Sequence, residues 1–431
     1  MKRKLIAISV LTIISLATFA GGLVTNSNQS AAYVRMLARF GTTEIDGVYY
    51  NPAGLVMLED GWHISLNNQF LSQTRTISSN FHTLNAGDFK DYEGKVSVPF
   101  FPSVHAAYKK GNLVYSIGIS PIGGGGNAKY NDGLPMFDML VSSLVPFPSA
   151  VYDSKASLSG SSMYLGYQAG VSYKANDMFG VFGGFRAVQA INSYVGDISV
   201  KLNQDIPTSP MGPLPAGTEL ANMKLDVDQT GFGFTPIIGT NINFGESFNL
   251  GLRYEFATKI KLTNDTKEAP AIMPEYADKV KSRADIPATL CVGGEYKPIS
   301  KLKLALGGQY YFDKDANYNG REDNIDNNAW EMSLGAEYNI TEKFLVSAGY
   351  LRFQTGVGKD YQNEISHSVS TNNFGLGGAY KLSDTYTINV GALYTKAQEY
   401  KVDTPIAPAV SYQTKYNREN FGFSIGVNMH F

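Results

Sequence analysis

Apolar and polar residues alternate along most of the chain after its first sixty residues. The last segment shows this best, with apolar side chains at every second position from Phe421 to Phe431 and Gly, Ser, Asn or His between them. The same alternation is found around Met163, Leu302, Trp330 and Tyr386. A period of two is typical of β-strands with one apolar face. Small residues on the second face favour a membrane barrel, whose lumen takes them, over a soluble sandwich.

Fourteen segments with this pattern follow one another between residues 61 and 431. Six connections between them are short and seven are long, in strict alternation, and an even number of strands is typical of closed bacterial barrels. We therefore predict an all-β fold, a 14-stranded antiparallel transmembrane β-barrel formed by residues 58–431. Both chain ends then lie on the side of the short turns, the periplasmic side, and the long loops are extracellular.

The segment before the barrel, residues 21–57, has a different character. It is rich in Gly, Asn and Ala and too poor in apolar residues to form a core of its own. A fourteen-stranded lumen is wider than side chains alone can fill. We therefore expect this segment to fill the lumen as a hatch that starts at Gly21, Gly22 and Leu23. It closes on the turn Asn51-Pro52-Ala53, where proline restricts the backbone and Asn51 can bond nearby backbone groups.

Composition places the protein outside the cytoplasm. Residues 1–20 combine a basic start, an apolar stretch and small residues near Ala20, which predicts a cleaved signal peptide. No run of 18 apolar residues follows this segment, so the sequence predicts no membrane-spanning helix. The net charge of −2 gives no basic field for nucleic acid, and the one cysteine, Cys291, allows no internal disulfide. The 27 tyrosines and 24 phenylalanines are typical of the aromatic girdles of a Gram-negative outer-membrane barrel.

Enzymes and metal sites find little support in the sequence. The chain has five histidines but no G-x-S-x-G, H-E-x-x-H or phosphate-loop motif, so we predict no catalytic residues and no cofactor. Residues 315–326 partly match a calcium-loop spacing, but Asp326 replaces the usual Glu and strands flank the loop, so we predict no metal. A general diffusion porin or a structural outer-membrane protein, and after them a barrel lipase or acyltransferase, remain the alternatives, and a porin needs an open lumen.

The order of signal peptide, Gly-rich hatch ending in Asn51-Pro52-Ala53, fourteen strands and terminal Phe431 resembles the FadL-type (OmpP1/FadL/TodX) outer-membrane transporters of long-chain fatty acids and other hydrophobic compounds. The resemblance implies surface capture of a fatty acid-like ligand among the long loops, a pocket inside the barrel, and sideways release through an inward kink of the third strand into the outer-membrane lipid. A closed barrel needs no partner, which favours a monomer.

Three sets of residues follow from this reading. The kink is predicted where the third strand, 111–120, runs into a Pro- and Gly-rich stretch that weakens pairing, although such a stretch is also how a flexible loop begins; its residues are Pro121, Gly123, Gly124, Gly125 and Gly126. The surface capture site is predicted on one face of a helix in the next loop, which would alternatively pack into the barrel mouth; its residues are Met136, Phe137, Leu140, Val141 and Leu144. Among the lumen charges, Arg253 is the candidate to hold a carboxylate head group.

Overall fold

The computed structural model describes residues 23–81, 88–145, 147–209, 212–364, 366–407 and 410–431. The predicted signal peptide and the first two hatch residues, Gly21 and Gly22, lie outside the described residues. In the described residues, the chain forms one closed antiparallel barrel around the N-terminal segment.

Seventeen strands make up the sheet of the described chain. They are β1 (Gly61–Ser79), β2 (Lys90–Lys110), β3 (Leu113–Tyr130), β4 (Tyr152–Lys174), β5 (Phe179–Leu202), β6 (Glu219–Phe244), β7 (Phe248–Glu255), β8 (Lys261–Glu268), β9 (Lys281–Arg283), β10 (Thr289–Ile299), β11 (Leu302–Tyr311), β12 (Trp330–Asn339), β13 (Phe344–Gln354), β14 (Thr371–Lys381), β15 (Tyr386–Ala397), β16 (Tyr400–Ala407) and β17 (Val410–His430).

Fourteen of these strands form the ring that the alternation predicts. The other three, β8, β9 and β16, pair beyond the ends of β7, β10 and β15. Around the ring, β1 to β7 are followed by β10 to β15 and then by β17. The ring closes because β1 pairs with both β2 and β17, the latter from His63 opposite His430 to Ser79 opposite Thr414. The six short turns of two to four residues all lie at the end where β1 begins and β17 finishes.

Three short helices lie within the hatch, and one longer helix covers the other end of the barrel. The hatch contains α1 (Ala31–Met36), α2 (Gly47–Tyr50) and a 3₁₀ helix over Pro52–Met57, whereas α3 (Pro135–Leu144) lies between β3 and β4. Shorter 3₁₀ turns occur at Ser149–Val151, Pro274–Tyr276, Asp313–Asp315 and Arg321–Asn324. No helix of the described chain is long and apolar enough to cross a membrane.

The outer wall of the barrel is apolar and the lumen is polar, the reverse of a soluble protein. Leu306, Met332 and Leu376 are 63–67% exposed on the outside, whereas Arg253 and Glu331 are buried inside. Exposed aromatic side chains ring the short-turn end, as expected for an interfacial girdle: they are Trp62, Tyr115, Tyr173, Phe179, Phe244, Tyr296, Tyr338, Phe344, Tyr380, Tyr386 and Phe431.

The wall is much taller on one side than on the other. Strands β4, β5 and β6 contain 23, 24 and 26 residues, whereas β7 and β10 to β13 contain 8 to 11. A membrane-crossing strand needs about 9–11 residues. The tall side therefore extends beyond the membrane at the long-loop end. The prediction that the third strand ends at residue 120 was wrong: β3 continues through the glycine run to Tyr130, because this stretch keeps its pairing with β4.

Candidate functional site: the hatch and the gap between β2 and β3

The turn at the end of the hatch is fastened to the wall formed by β4, β5 and β6. The side-chain amide of Asn51 donates to the carbonyl of Thr42 at 2.9 Å and to Oδ1 of Asn241 on β6 at 2.8 Å. The carbonyl of Pro52 accepts from Ser172 Oγ on β4 at 2.6 Å. Ala53 packs in a cluster with Phe182 and Ile237. The Asn51 side chain therefore bonds Asn241 on β6 and the carbonyl of Thr42 in the hatch, and not backbone groups two residues further along the chain.

A buried ion network holds the middle of the hatch against the opposite wall. Arg39 is completely buried and contacts both carboxylate oxygens of Asp46, at 2.7 and 2.9 Å, and Glu44 at 2.8 Å. It also lies 3.4 Å from Glu337 on β12. Lys303 on β11 links the same carboxylates, with 2.8 Å to Glu44 and 2.9 Å to Glu337. Since Arg39, Asp46 and Glu337 are charged and buried, the hatch position is fixed by specific partners.

The first described residues of the hatch pair with the Pro-Gly stretch of β3. Thr25 forms an antiparallel bridge with Gly123, and the backbone N–H of Asn26 donates to the carbonyl of Ile122 at 2.7 Å. Leu23, where the hatch was expected to begin, is buried in the large apolar cluster of the lumen. A side chain at Gly123 would collide with the carbonyl of Val24, 2.4 Å from an added Cβ. The glycine therefore permits the close approach of hatch and wall.

The ladder between β2 and β3 is interrupted at this place. The two strands pair from Lys110 opposite Leu113 up to Val104 opposite Ile119, and again only at Lys95 opposite Lys129 and at Gly94 opposite Tyr130. The unpaired stretch of β3 contains all five predicted kink residues. Its pairing with β4 persists, but with bulges between Pro121 and Gly123 and between Gly124 and Gly126. In this stretch β3 therefore separates from β2 but stays paired with β4.

Sequence reasoning missed the other edge of this gap, which belongs to β2. Two prolines, Pro99 and Pro102, lie in the unpaired stretch of β2, where the lack of an N–H donor costs nothing. Between them, the backbone places Phe101 at 2% exposure, pointing towards β3. An added Cβ on Gly125 would lie 2.3 Å from the Phe101 ring, so this ring fills the gap next to the glycine. Prolines within an alternating strand were the signal available in the sequence.

Helix α3 is tucked into the barrel mouth rather than displayed on the surface. Met136, Phe137 and Val141 are at most 7% exposed and belong to the lumen cluster. Leu140 is half-buried, and Leu144 is 48% exposed. Apolar residues that include Phe137, Leu158, Ile198, Met223 and Tyr276 line a small cavity of about 30 Å³ between the helix and the tall wall. The apolar face predicted from the sequence is real, but most of it is used for packing.

Arg253, the candidate head-group contact, lies in a polar cluster in mid-lumen. Its Nε is 3.2 Å from Glu255 Oε1, and one guanidinium NH₂ nitrogen is 3.2 Å from Cys291 Sγ. Arg186 binds the same Glu255 at 2.7 and 3.0 Å, and the ring of Tyr49 lies 5.1 Å from the Arg253 guanidinium. The remaining guanidinium nitrogen of Arg253, NH1, has no hydrogen-bond partner among the described residues.

The sequence and the fold were compared with known proteins. The chain matches the family described as "Outer membrane protein transport protein (OMPP1/FadL/TodX)" over residues 11–431. The chain belongs to this family. Its members are outer-membrane transport proteins and not enzymes, and the Gram-negative outer membrane is accordingly the location of this family member. No curated protein matches the chain in sequence.

Solved structures of the family share the fold of this transport protein at low sequence identity. A FadL homologue from Pseudomonas aeruginosa has a TM-score of 0.67 and 14% identity, covering 95% of this chain and 100% of its own. The toluene transporter TodX of P. putida has a TM-score of 0.57 and 13% identity, covering 90% and 95%. The toluene transporter TbuX of Ralstonia pickettii has a TM-score of 0.54 and 15% identity, covering 90% and 94%. These identities support the fold and not the ligand.

Replacing the hatch asparagine tests whether its turn positions the hatch. We expect Asn51→Ala to remove two buried hydrogen bonds, costing about 1–3 kcal/mol, and to let small polar antibiotics leak through cells that carry this transporter. Antibiotic sensitivity and heat-modifiable mobility of the barrel on gels measure the two effects separately. The matched control is Asn203→Ala, which removes exposed bonds of 3.3 and 3.4 Å. Wild-type impermeability of the Asn51 variant would show that the turn has no positioning role.

The loop after β11, in which the calcium-like spacing lies, contains a buried acid. No cluster of three or more metal-binding side chains occurs in the described part of the chain. Asp313 accepts from Tyr318 OH at 3.2 Å and from the backbone N–H of Ala329 at 3.1 Å. Burial raises the pKa of Asp313 to about 7. Its neutral form is therefore the one that the packed loop favours.

The pH dependence of this loop follows from that pKa. Because the folded-state pKa of Asp313 lies above the 3.8 of a free aspartate, its contribution to loop stability is complete below about pH 4 and is lost as pH rises to about 7. We expect amide exchange in residues 312–329, corrected for its intrinsic pH dependence, to accelerate between about pH 4 and 7 and to level off above. Asp313→Asn should flatten this response, whereas Asp315→Asn at an exposed neighbouring position should not. An unchanged response in Asp313→Asn would contradict the assignment.

Proposed function

We propose that this transport protein takes up hydrophobic small molecules, long-chain fatty acids or similar compounds, by surface capture, an internal pocket and lateral release. The observation that carries the proposal is the interrupted β2–β3 ladder, because a plugged barrel with a gap in its wall offers a route that ends in lipid. Two of the similar structures are toluene transporters and a third is a FadL homologue, which supports an apolar ligand. Both chain ends are assigned to the periplasm and the long loops to the cell exterior.

Capture is assigned to the outer part of α3 and the cavity beneath it. Since Met136, Phe137 and Val141 are packed inward, the surface available to a ligand is that of Leu140 and Leu144. The small, partly open apolar cavity next to Phe137 marks the point at which the ligand then enters the barrel mouth. We expect Leu144→Asp to slow uptake of a hydrophobic probe several-fold at normal surface expression, because a charge replaces the exposed apolar contact. Leu382→Asp, also exposed but at the short-turn end, is the control. Equal uptake by both variants would exclude α3 from capture.

From the cavity, the ligand continues into the lumen towards the hatch. Buried apolar residues line this route continuously from α3 to the gap and include Ile122, Tyr164, Val188, Ala190, Tyr194 and Ile198. Arg253 is the candidate that holds a carboxylate there, since one of its guanidinium nitrogens still lacks a hydrogen bond. The hatch blocks the direct way to the periplasm, so the ligand leaves sideways, past Phe101, into outer-membrane lipid. One barrel contains the whole route, and we assign it as a monomer.

Transport is tested with the purified chain in liposomes. A fluorescent or radiolabelled fatty acid should appear in the membrane of protein-containing vesicles faster than in empty ones, whereas a polar sugar of similar mass should not enter. The capture and release steps predict this selectivity because an apolar cavity admits the first probe only. Rapid entry of the sugar through the wild-type chain, with its hatch in place, would favour the diffusion porin. Absence of any difference between the two probes would reject the transport function.

A further inference from the structure

Buried polar atoms without partners gather on the inner side of the β2–β3 gap. In the described part of the chain, no hydrogen bond reaches Asn26 Oδ1, Gln29 Oε1 or either ring nitrogen of His105. Asn26 and Gln29 are completely buried, and His105 is 1% exposed. Buried polar atoms are almost always bonded, so a group of orphans in one place indicates a polar occupant.

The surrounding contacts fix how these atoms are oriented. The side-chain amide of Gln29 donates to the carbonyls of Asn26, at 2.9 Å, and Pro121, at 3.2 Å. The amide of Asn26 donates to the carbonyl of Gly124 at 2.8 Å. Because both NH₂ groups are used by the kink or the hatch, both amide oxygens remain as unpaired acceptors.

His105 lies at the lower edge of the same gap. Ser103, two residues earlier on the same lumen-facing side of β2, donates its hydroxyl to the carbonyl of Gln29 at 2.6 Å. His105 pairs with Gly118, one step below the last pair before the interruption, Val104 opposite Ile119. The missing side chain at Gly118 leaves the ring of His105 in direct contact with this glycine. The hatch tip and the histidine therefore border one end of the opening.

The chemistry of this set decides what fits. Two amide oxygens accept hydrogen bonds, and a neutral imidazole offers one donor and one acceptor. A hydroxyl or a protonated carboxyl group donates one hydrogen bond and also accepts, so it pairs with one amide oxygen and with the imidazole N–H at the same time. A carboxylate only accepts and would face two amide oxygens. The nearest hatch cations do not offset this, since Arg35 is engaged by Glu337 at 3.0 Å and Arg39 by Asp46.

We propose that Asn26, Gln29 and His105 form a binding site at the lateral gap for the hydroxyl or protonated carboxyl end of an amphipathic ligand. The inference rests on the proposed transport function and specifies its ligand class: molecules with an apolar chain and a neutral hydrogen-bond donor pass in preference to plain ethers and hydrocarbons. A carboxylic acid uses both lumen sites, as an anion at Arg253 and as the neutral acid at the gap.

A pair of probes that never ionise tests the site. A long-chain alcohol and its methyl ether share the chain and the oxygen acceptor, and only the alcohol donates a hydrogen bond. We expect the wild-type chain to bind and transport the alcohol about five- to tenfold better, the ratio that one net hydrogen bond gives. Gln29→Leu and His105→Phe should each bring this ratio close to one. His105→Asn, which keeps polar atoms, should retain part of the preference.

Matched controls separate the site from general damage. Asn373→Leu removes an equally buried lumen amide on β14, bonded to Thr371 and Thr395, and should keep the wild-type ratio. Heat-modifiable mobility on gels confirms folding of each variant. Binding is measured on the purified protein by calorimetry, so the ratio is obtained whether or not transport occurs. Equal affinities for both probes in the wild type, or an unchanged ratio in Gln29→Leu and His105→Phe, would overturn the site and leave only water in it. Failure of uptake with the binding ratio intact would instead reject the transport function.

Discussion

Uptake of a bulky hydrophobic ligand should rise several-fold when Phe101 is replaced by Ala. The ring of Phe101 is buried between the unpaired stretches of β2 and β3 and is the side chain that fills the gap beside Gly125. Loss of a buried phenylalanine ring costs roughly 3–5 kcal/mol of packing, and here that loss falls on the closed form of the gap. Transport of a fatty acid into liposomes measures the change, and Phe70→Ala, on the outer wall of β1, is the control.

The glycine opposite the ring gives an independent check. Gly125 has φ +112°, and a Cβ there would lie 2.3 Å from the Phe101 ring, so Gly125→Ala must displace the ring. We expect this variant to disturb the gap as well, but less so in the Phe101→Ala background, where the collision is absent. Residues in contact usually show coupling energies of about 0.5–3 kcal/mol in such a cycle. Strictly additive effects would show that the ring does not close the gap.

Removal of Arg39 should release the hatch and turn the barrel into an open pore. The variant Arg39→Met leaves Asp46 buried at 2% exposure without its ion-pair partner, while the hydroxyls of Ser30 and Thr42 keep their hydrogen bonds to its carboxylate. Breaking one side of a buried ion pair typically costs about 3–5 kcal/mol. The barrel ladder contains no part of Arg39, so this cost falls on hatch docking. Step conductances in planar bilayers and sensitivity to polar antibiotics should both increase.

Two further variants identify the cause of that opening. Lys95→Met breaks the exposed pair between Lys95 and Glu93 and should leave conductance unchanged. Asp46→Asn added to Arg39→Met removes the orphan carboxylate and should restore part of the closed state. A double variant as conductive as Arg39→Met would show that the unpaired charge is not what expels the hatch.

The architecture was readable from the sequence because a membrane barrel repeats one simple constraint. Each strand must show lipid an apolar residue at every second position, so the alternation near Trp330 and Phe421 identifies strands one at a time, and the turn lengths give their order. Strand ends were read less well. Residues 121–125 lack the alternation because β3 there pairs with the hatch instead of β2, and the glycines that permit this resemble the start of a loop.

The contacts inside the lumen could not be predicted from the sequence for a different reason. The partners of Arg39 and Asn51 come from β10, β12 and β6, and no local pattern specifies which lumen-facing side chain meets which hatch residue. The α3 stripe illustrates the same limit: its period predicts an apolar face, but whether that face meets a ligand or the barrel mouth depends on the distant strands β5 and β6. The pairing of two adjacent strands is specified by nearby sequence, whereas the contacts inside the lumen exist only when the ring is closed.

The hatch is synthesised before the barrel strands but docks after they have formed. Ser27 bonds Glu331 across 304 residues of sequence, Arg39 reaches Glu337 across 298, and Arg35 reaches Asn389 across 354. Contacts of such long separation form slowly, because much of the intervening chain must be ordered before they do. The hatch, which precedes all the strands of the described chain, should therefore dock only after the last hairpins have formed. The hatch thus docks last although it is synthesised first. A chain that stops before β15 lacks Asn389, one of the residues that bind the hatch.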